Sequence, residues 1–363
     1  MADDPLELLT EAVRIYSPTG RESRLADYLC SKMKKLGYNR VRLDEAGNAL
    51  GEIGDGDSSL LLCGHMDTVP GEIPVKETGG HLYGRGAADA KAALCAMLFA
   101  GASATGTGLR VTFAGVVHEE GDSLGVQTLI KSRKSYDYAV FGEPSGAARL
   151  TVGYRGRVAM KLSLSTEGGH AGSPWARVSA LDELYSVITA LRKLEANTPH
   201  GDHFRSISIS PTIVTAGTYH NVVPPNCDAT FDIRLPPGTS GARAVREAGA
   251  IVRGSVKEGT RVKFEFDEVT EAYEADPNST LCRAFQRAVI TKLRKRPVLV
   301  RKTGTGDMNT LASAMRIQCL TYGPGESDLS HTNHECVSVK DYLDSVEVLR
   351  ESIKQIPALA EAR

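Results

Sequence analysis

No stretch of this 363-residue sequence approaches the run of about 18 apolar residues that a membrane-spanning helix needs, so nothing in it is expected to cross a bilayer. The amino-terminus, Met-Ala-Asp-Asp-Pro-Leu-Glu, is acidic and has no apolar signal core. Charge of one sign is also lacking. The formal net charge of −1 gives no global reason to bind nucleic acid or a membrane surface. There is no Cys-x-x-Cys pair. The seven cysteines, at 30, 63, 95, 227, 282, 319 and 336, are odd in number, and several lie within apolar runs. They read as reduced core residues, and the expected location is the cytoplasm. No internal repeat or low-complexity segment appears. What is present is ordinary for a soluble globular protein, with 41% hydrophobic and 24% charged residues. The length exceeds what one core usually supports, so two domains are expected.

The chain is organised around Leu-Leu-Leu-Cys-Gly-His-Met-Asp-Thr-Val-Pro-Gly, residues 60–71. Leu60 to Cys63 is a short unbroken apolar run, the pattern of a strand buried on both faces. His65 and Asp67 follow where that strand should end, and ligands bind at such ends in an open parallel sheet. Two residues apart on extended backbone, they share a face. A carboxylate beside a histidine can hold its tautomer while the other ring nitrogen takes a metal.

Around this stretch the sequence alternates between helical and strand-like patterns. Helices are predicted at Pro5–Tyr16, Glu22–Leu36, Asp89–Ala104 and Ser123–Arg133. Strands are predicted at Arg40–Leu43, Ala49–Ile53, Leu60–Cys63, Leu109–Val117 and Tyr138–Phe141. Such alternation implies an α/β domain, a mostly parallel sheet with helices on both faces. After Gly156 the grammar changes. Strand Val158–Ser165, a helical stripe from Val178 to Leu194, strands Ser206–Val214 and Ala229–Leu235, helix Ala242–Arg253 and strand Arg261–Phe266 follow. That order is β-α-β-β-α-β, a ferredoxin-like α+β sandwich. The first grammar resumes with a helix from Asp276 to about Lys295, strands near Val298 and Cys319, and a helix from Lys340. The expected organisation is residues 1–156 and 271–363 as one domain, with 157–270 inserted.

Four more acidic or histidine clusters fall in loops after predicted strands. Asp89 lies in Tyr-Gly-Arg-Gly-Ala-Ala-Asp-Ala-Lys, at a helix start. Glu119 and Glu120 lie in His-Glu-Glu-Gly-Asp, Glu143 in Gly-Glu-Pro, and His331 in Ser-Asp-Leu-Ser-His-Thr-Asn-His-Glu. Any one alone could be an N-cap or a surface group. Together, His65, Asp89, Glu120, Glu143 and His331 are hard oxygen and imidazole donors with almost no thiols among them. They suit two zinc ions, or cobalt or manganese, sharing a carboxylate. Glu119 is then left over, pointing elsewhere than Glu120. One carboxylate on metal beside one that is free is what metal-assisted hydrolysis requires.

These motifs, in this order, resemble the acetylornithine deacetylase / succinyl-diaminopimelate desuccinylase / aminoacylase family of metallopeptidases, from about Pro5 to the last helix. The resemblance implies a zinc-exopeptidase-like fold whose insert serves as lid and dimerisation domain. It implies one cation on His65 and Glu143, the other on Glu120 and His331, and Asp89 bridging. It further implies Glu119 as general base and Asp67 as the carboxylate orienting His65. One departure stands in the bridging motif, where a glycine common in the family is Ala92; no donor is lost. Glu-Gly-Gly-His-Ala-Gly-Ser-Pro resembles the segment whose histidine, here His170, reaches the substrate carbonyl, often across a dimer interface. Asn221 and Arg234 resemble a substrate-contacting asparagine and a carboxylate-binding arginine, a task that suits the planar guanidinium fork.

Two glycine-rich runs are similar to those of one branch, the LysW-lysine / LysW-ornithine hydrolases. They are Lys302-Thr-Gly-Thr-Gly-Asp-Met-Asn, with Thr305, and Tyr322-Gly-Pro-Gly, with Gly323. The branch implies release of lysine or ornithine from the terminal glutamate of a small acidic carrier protein, in lysine and arginine biosynthesis. Basic residues Lys292, Arg294, Lys295, Arg296, Arg301 and Lys302 are candidates to meet such a carrier. The alternatives are a deacylase acting on small N-acyl amino acids, then a dipeptidase. A non-catalytic binding protein is disfavoured because Glu119 and all five donors are present.

Overall fold

A computed structural model describes residues 4–196 and 201–361. The chain forms two compact units. One comprises the residues up to Gly153, Ala275–Arg301 and those from Gly306 onward; the other comprises Tyr154–Glu274 and Lys302–Thr305. The second unit runs over 154–274, where 157–270 was expected, and also takes in a short return of chain at 302–305.

The first unit is built on a mixed sheet in the order Asn39–Leu43, Ala49–Ile53, Leu109–Val116, Ser58–His65, Tyr138–Gly142, Gln318–Thr321, Arg149–Tyr154. The middle four strands are parallel, while the outer pairs run antiparallel. Strand Ser58–His65 lies at the centre, and every residue from Ser59 to His65 is buried, so both its faces are covered. That is why Leu60–Cys63 reads as an unbroken apolar run rather than an alternating one. Helix Lys91–Gly101 is buried along its whole length and packs against this strand and against the terminal helix Val339–Glu361. Ala92 is fully buried within it.

Lys91 opens that helix and is itself 1% exposed. Its Nζ donates to Ile15 O at 2.6 Å and Ala12 O at 3.3 Å, at the carboxyl end of helix Pro5–Arg14. A cation there meets the negative end of the helix dipole. Burial pushes its pKa down to about 8. The lysine thereby anchors the chain two residues beyond Asp89.

The second unit is an antiparallel sheet in the order Ser208–Ala216, Asn226–Leu235, Gly156–Ser165, Arg261–Thr270, with helices Ala180–Ala196 and Gly241–Ser255. Alternation along Asn226–Leu235 turns Cys227, Ala229, Phe231, Ile233 and Leu235 into a core shared with Leu184, Val187 and Leu191. All seven cysteines are free thiols, and six are buried. Among the described residues no helix is long and apolar enough to cross a membrane.

Candidate dinuclear metal centre

The donors gather at the carboxyl ends of the parallel strands. His65 is the last residue of Ser58–His65, and Glu143 follows Tyr138–Gly142 directly. Glu119 and Glu120 come three and four residues after Val116, and Asp89 precedes helix Lys91–Gly101. His331 is farther out, ten residues beyond Thr321.

These side chains form two clusters that share one member. His65, Asp89 and Glu143 offer donor atoms within 4.8 Å of one another, and so do Asp89, Glu120 and His331. Asp89 uses a different oxygen toward each side. Its Oδ1 is 3.3 Å from His65 Nε2, and its Oδ2 is 3.4 Å from His331 Nε2. Glu143 Oε1 lies 3.8 Å from His65 Nε2, and Glu120 Oε1 lies 2.7 Å from His331 Nε2.

The side-chain charges of the two clusters are unequal in sign. Asp67, Asp89, Glu119, Glu120 and Glu143 face two imidazoles, so negative charge is in excess even with both rings protonated. Burial works against a charged His65, yet Asp67, Asp89, Glu119 and Glu143 raise its pKa well above the ordinary value. Burial likewise opposes ionisation of Asp89, but the contacts of His65, Ser330 and His331 hold it below the usual carboxylate range. Oxygen and imidazole donors in two shared triads, with uncompensated negative charge, fit a pair of divalent cations.

Glu119 belongs to neither cluster. Burial, with help from the Glu143, Asp307 and Glu120 carboxylates, pushes its pKa well above the ordinary value. Its Oε1 would lie 3.9 Å from a Cβ placed on Gly306, at the start of helix Asp307–Met315.

Asp67 has two jobs, on different atoms. Its backbone carbonyl is 2.8 Å from His65 Nδ1, whereas its carboxylate Oδ1 is 3.6 Å away. A hydrogen bond at Nδ1 leaves Nε2 facing Asp89, the tautomer a metal ligand needs. The carboxylate accepts from Glu119 N and Glu120 N, both at 3.0 Å, and from Thr19 Oγ1 at 2.9 Å. It therefore grips the turn on which the adjacent glutamates diverge.

Of the expected substrate residues, His170, Asn221, Arg234 and Thr305 all lie in the second unit. His170 pairs in a short ladder opposite Val222, and Ala171 N donates to Asn221 O at 2.9 Å, so His170 and Asn221 are neighbours. The His170 side chain is exposed, with Nδ1 accepting from Gly172 N at 2.9 Å. Arg234 turns its fork onto Asp232, at 2.6 and 3.0 Å, and its Nη1 donates to Thr305 Oγ1 at 3.0 Å. Gly323 is in the first unit, where its carbonyl accepts from Ser145 N and Gly146 N. A Cβ there would fall 2.7 Å from Glu143 O and 2.5 Å from Ala93 Cβ, so only glycine lets this backbone reach the Glu143 loop. Of the basic candidates, Lys292 lies 3.6 Å from Glu347 and 3.7 Å from Glu351, and Lys302 lies over the Tyr154 ring.

Sequence reading missed three residues of this region, Arg85, Glu335 and Asp307. Asp307 stands in a run read only as a glycine-rich loop, yet it opens the helix Asp307–Met315. Its carboxylate is buried, and burial pushes its pKa up to about 6, against the lowering influence of the Ser123 side chain and His65. The available signal was Met-Asn-Thr-Leu-Ala-Ser-Ala-Met, a helical composition directly after Gly-Asp.

Residues 61–355 match the family described as peptidase family M20/M25/M40. A LysW-lysine/LysW-ornithine hydrolase of Sulfurisphaera tokodaii is 34% identical over 350 residues, covering 94% of this chain and 95% of its own. A LysW-lysine hydrolase of Deinococcus radiodurans is 32% identical over 360 residues, covering 96% of each. Among solved structures, a tripeptidase from Staphylococcus aureus superposes with a TM-score of 0.83 at 20% identity, covering 98% of both chains. The chain, a metal-dependent amide hydrolase, belongs to peptidase family M20/M25/M40.

Proposed function

We propose that this enzyme hydrolyses the amide joining lysine or ornithine to the terminal glutamate of an acidic amino-group carrier protein, in lysine and arginine biosynthesis in the cytoplasm. The observation that carries the chemistry is the pair of triads sharing Asp89, with Glu119 beside them but in neither. The names of the similar LysW hydrolases, which match over nearly the whole chain, support the substrate.

In this reading His65 and Glu143 hold one cation, Glu120 and His331 hold the other, and Asp89 bridges. Zinc suits the donors best, with cobalt or manganese as alternatives. Bound by these residues, two divalent cations would supply Lewis acidity to the substrate carbonyl and to a water. Glu119 accepts the proton of the attacking water and returns it to the amine that leaves. Asp67 keeps His65 and the Glu119–Glu120 turn in register. Asn221, Arg234, Thr305 and Gly323 contact the substrate. Because Asp232 already occupies the Arg234 fork, a substrate carboxylate would be its second anionic partner, not its first.

His170 stabilises the developing oxyanion, acting from a second copy of the chain in a homodimer. Strand Ser208–Ala216 supports dimerisation: among the described residues it is an edge of its sheet, with Ile213 61% and Val214 48% exposed. His170→Ala should lose turnover while keeping both cations. Mixing it with Glu119→Gln should restore some activity, because a mixed dimer rebuilds one complete site. Proven subunit exchange without recovery would mean that His170 acts within its own chain or not at all.

Docking of the carrier is assigned to the exposed run Arg294, Lys295 and Arg296. The next strand residue, Val298, donates its N–H to Ala148 O at 3.0 Å, on the loop that leaves Glu143. An acidic partner would be steered to such a run. Lys295→Glu with Arg296→Glu should slow hydrolysis of the carrier-linked substrate by about tenfold, and the loss should shrink as salt rises. A short glutamyl-lysine mimic should be cleaved at the normal rate. Equal losses on both substrates would remove this surface from the account.

A further inference from the structure

The buried carboxylate of Glu335 ties the donors' loops together. Strand His81–Tyr83 pairs with Cys336–Ser338, Tyr83 opposite Cys336. This brings Arg85 beside Glu335 across 250 residues of chain. Both are buried, Arg85 at 5% and Glu335 at 1% exposure. Arg85 Nη1 donates to Glu335 Oε2 at 2.8 Å. The other carboxylate oxygen accepts from the backbone N–H groups of Ala88 and Asp89, both at 3.0 Å. Arg85 also donates through Nε to Gly71 O at 2.9 Å and through Nη1 to Thr332 O at 3.0 Å.

Each of these partners lies on a loop that carries a donor. Gly71 follows His65 and Asp67, Ala88 and Asp89 include the shared carboxylate itself, and Thr332 follows His331. Glu335 is not a ligand in waiting, because both its oxygens are committed to N–H groups and it lies outside both triads. A buried ion pair is seldom retained for stability alone, since desolvation consumes much of its attraction. Charge-assisted hydrogen bonds to backbone do fix geometry.

The donors differ in how much they need such help. His65 ends a central strand and Glu143 follows one directly, so the sheet holds both. His331 stands ten residues beyond its strand, with its side chain 50% exposed and φ of 63°. Its loop is tied back through Thr332 and Glu335.

We propose that Arg85 and Glu335 are positioning residues for the metal centre, which set cation affinity at the Asp89–Glu120–His331 site more than at the His65–Asp89–Glu143 site. The inference rests on the two-cation reading above. Outer partners of metal ligands typically govern about 10–100-fold in affinity.

The test is titration of metal-free protein with Co²⁺, followed by its visible absorption and by calorimetry. The wild-type protein should take up two equivalents in resolvable events; uptake of fewer would sink the two-cation reading itself, whatever the variants do. His331→Ala identifies the event belonging to its site. In Glu335→Gln, either Arg85 or the two backbone N–H groups must face another donor. That event should therefore weaken by about 10–100-fold, while the other changes little and the metal-free melting temperature is kept. Arg85→Lys keeps the charge but cannot bond Gly71, Thr332 and Glu335 together, and should show the same asymmetry in milder form. It carries the test if Glu335→Gln does not fold. Wild-type affinity in both events, or parallel weakening of both with a lowered melting temperature, would overturn the proposal.

Discussion

Glu119→Gln should leave an enzyme that holds both cations and turns over at least about 10² times more slowly, the usual scale for a positioned general base. The amide keeps the size of the side chain but cannot take a proton at neutral pH. Metal should be retained because Glu119 lies outside both triads, while its neighbour Glu120 is 2.7 Å from His331 Nε2. The backbone of the turn should also be kept, since Asp67 grips it through the N–H groups of residues 119 and 120 and not through their side chains. Metal content by mass spectrometry, measured beside turnover, separates the outcomes. Near-normal turnover would remove Glu119 from the mechanism. Loss of metal together with activity would mean that the roles of Glu119 and Glu120 are exchanged.

Asp89→Ala should have the larger effect on the cations. Asp89 is the one residue common to both triads, and its two oxygens face His65 and His331 separately. Removing it takes a donor from each site at once. Affinity at both sites should fall by more than the 10–100-fold typical of an outer partner, and activity should vanish at ordinary metal concentrations. The fold should survive, because the loop is held by its backbone through Glu335 and by Lys91 on the helix that follows. A variant that lost one equivalent and kept the other unchanged would show that Asp89 serves a single site.

Much of this centre was legible because local pattern and chemistry coincide there. An apolar run that stops at Gly-His-Met-Asp marks both a buried strand and its functional end, and the structure has strand Ser58–His65 running from sheet core to site. The paired glutamates after Leu109–Val116 and the glutamate after Tyr138–Gly142 follow the same rule. What was not legible depends on distant pairing. Arg85 and Glu335 meet only because two three-residue strands pair, and strands so short carry no periodicity. Strand Arg149–Tyr154 was missed because Arg-Leu-Thr-Val-Gly-Tyr mixes residues that need the neighbouring strand Gln318–Thr321 to bury them. Helix Asp307–Met315 was hidden behind Gly-Thr-Gly, a sequence that ordinarily signals a loop. The nearest contact to His65 Nδ1 was also beyond reach, because pattern names the Asp67 side chain and cannot weigh it against the Asp67 carbonyl.

The substrate is tested most directly by supplying the purified, metal-loaded enzyme with the carrier protein bearing lysine or ornithine on its terminal glutamate. Free amino acid released is then measured beside acetylornithine and succinyl-diaminopimelate at equal concentration. A carrier-linked substrate requires rapid release of lysine, ornithine or both from the carrier and little hydrolysis of the two small acyl compounds. Fast cleavage of acetylornithine with a slow reaction on the carrier would contradict it.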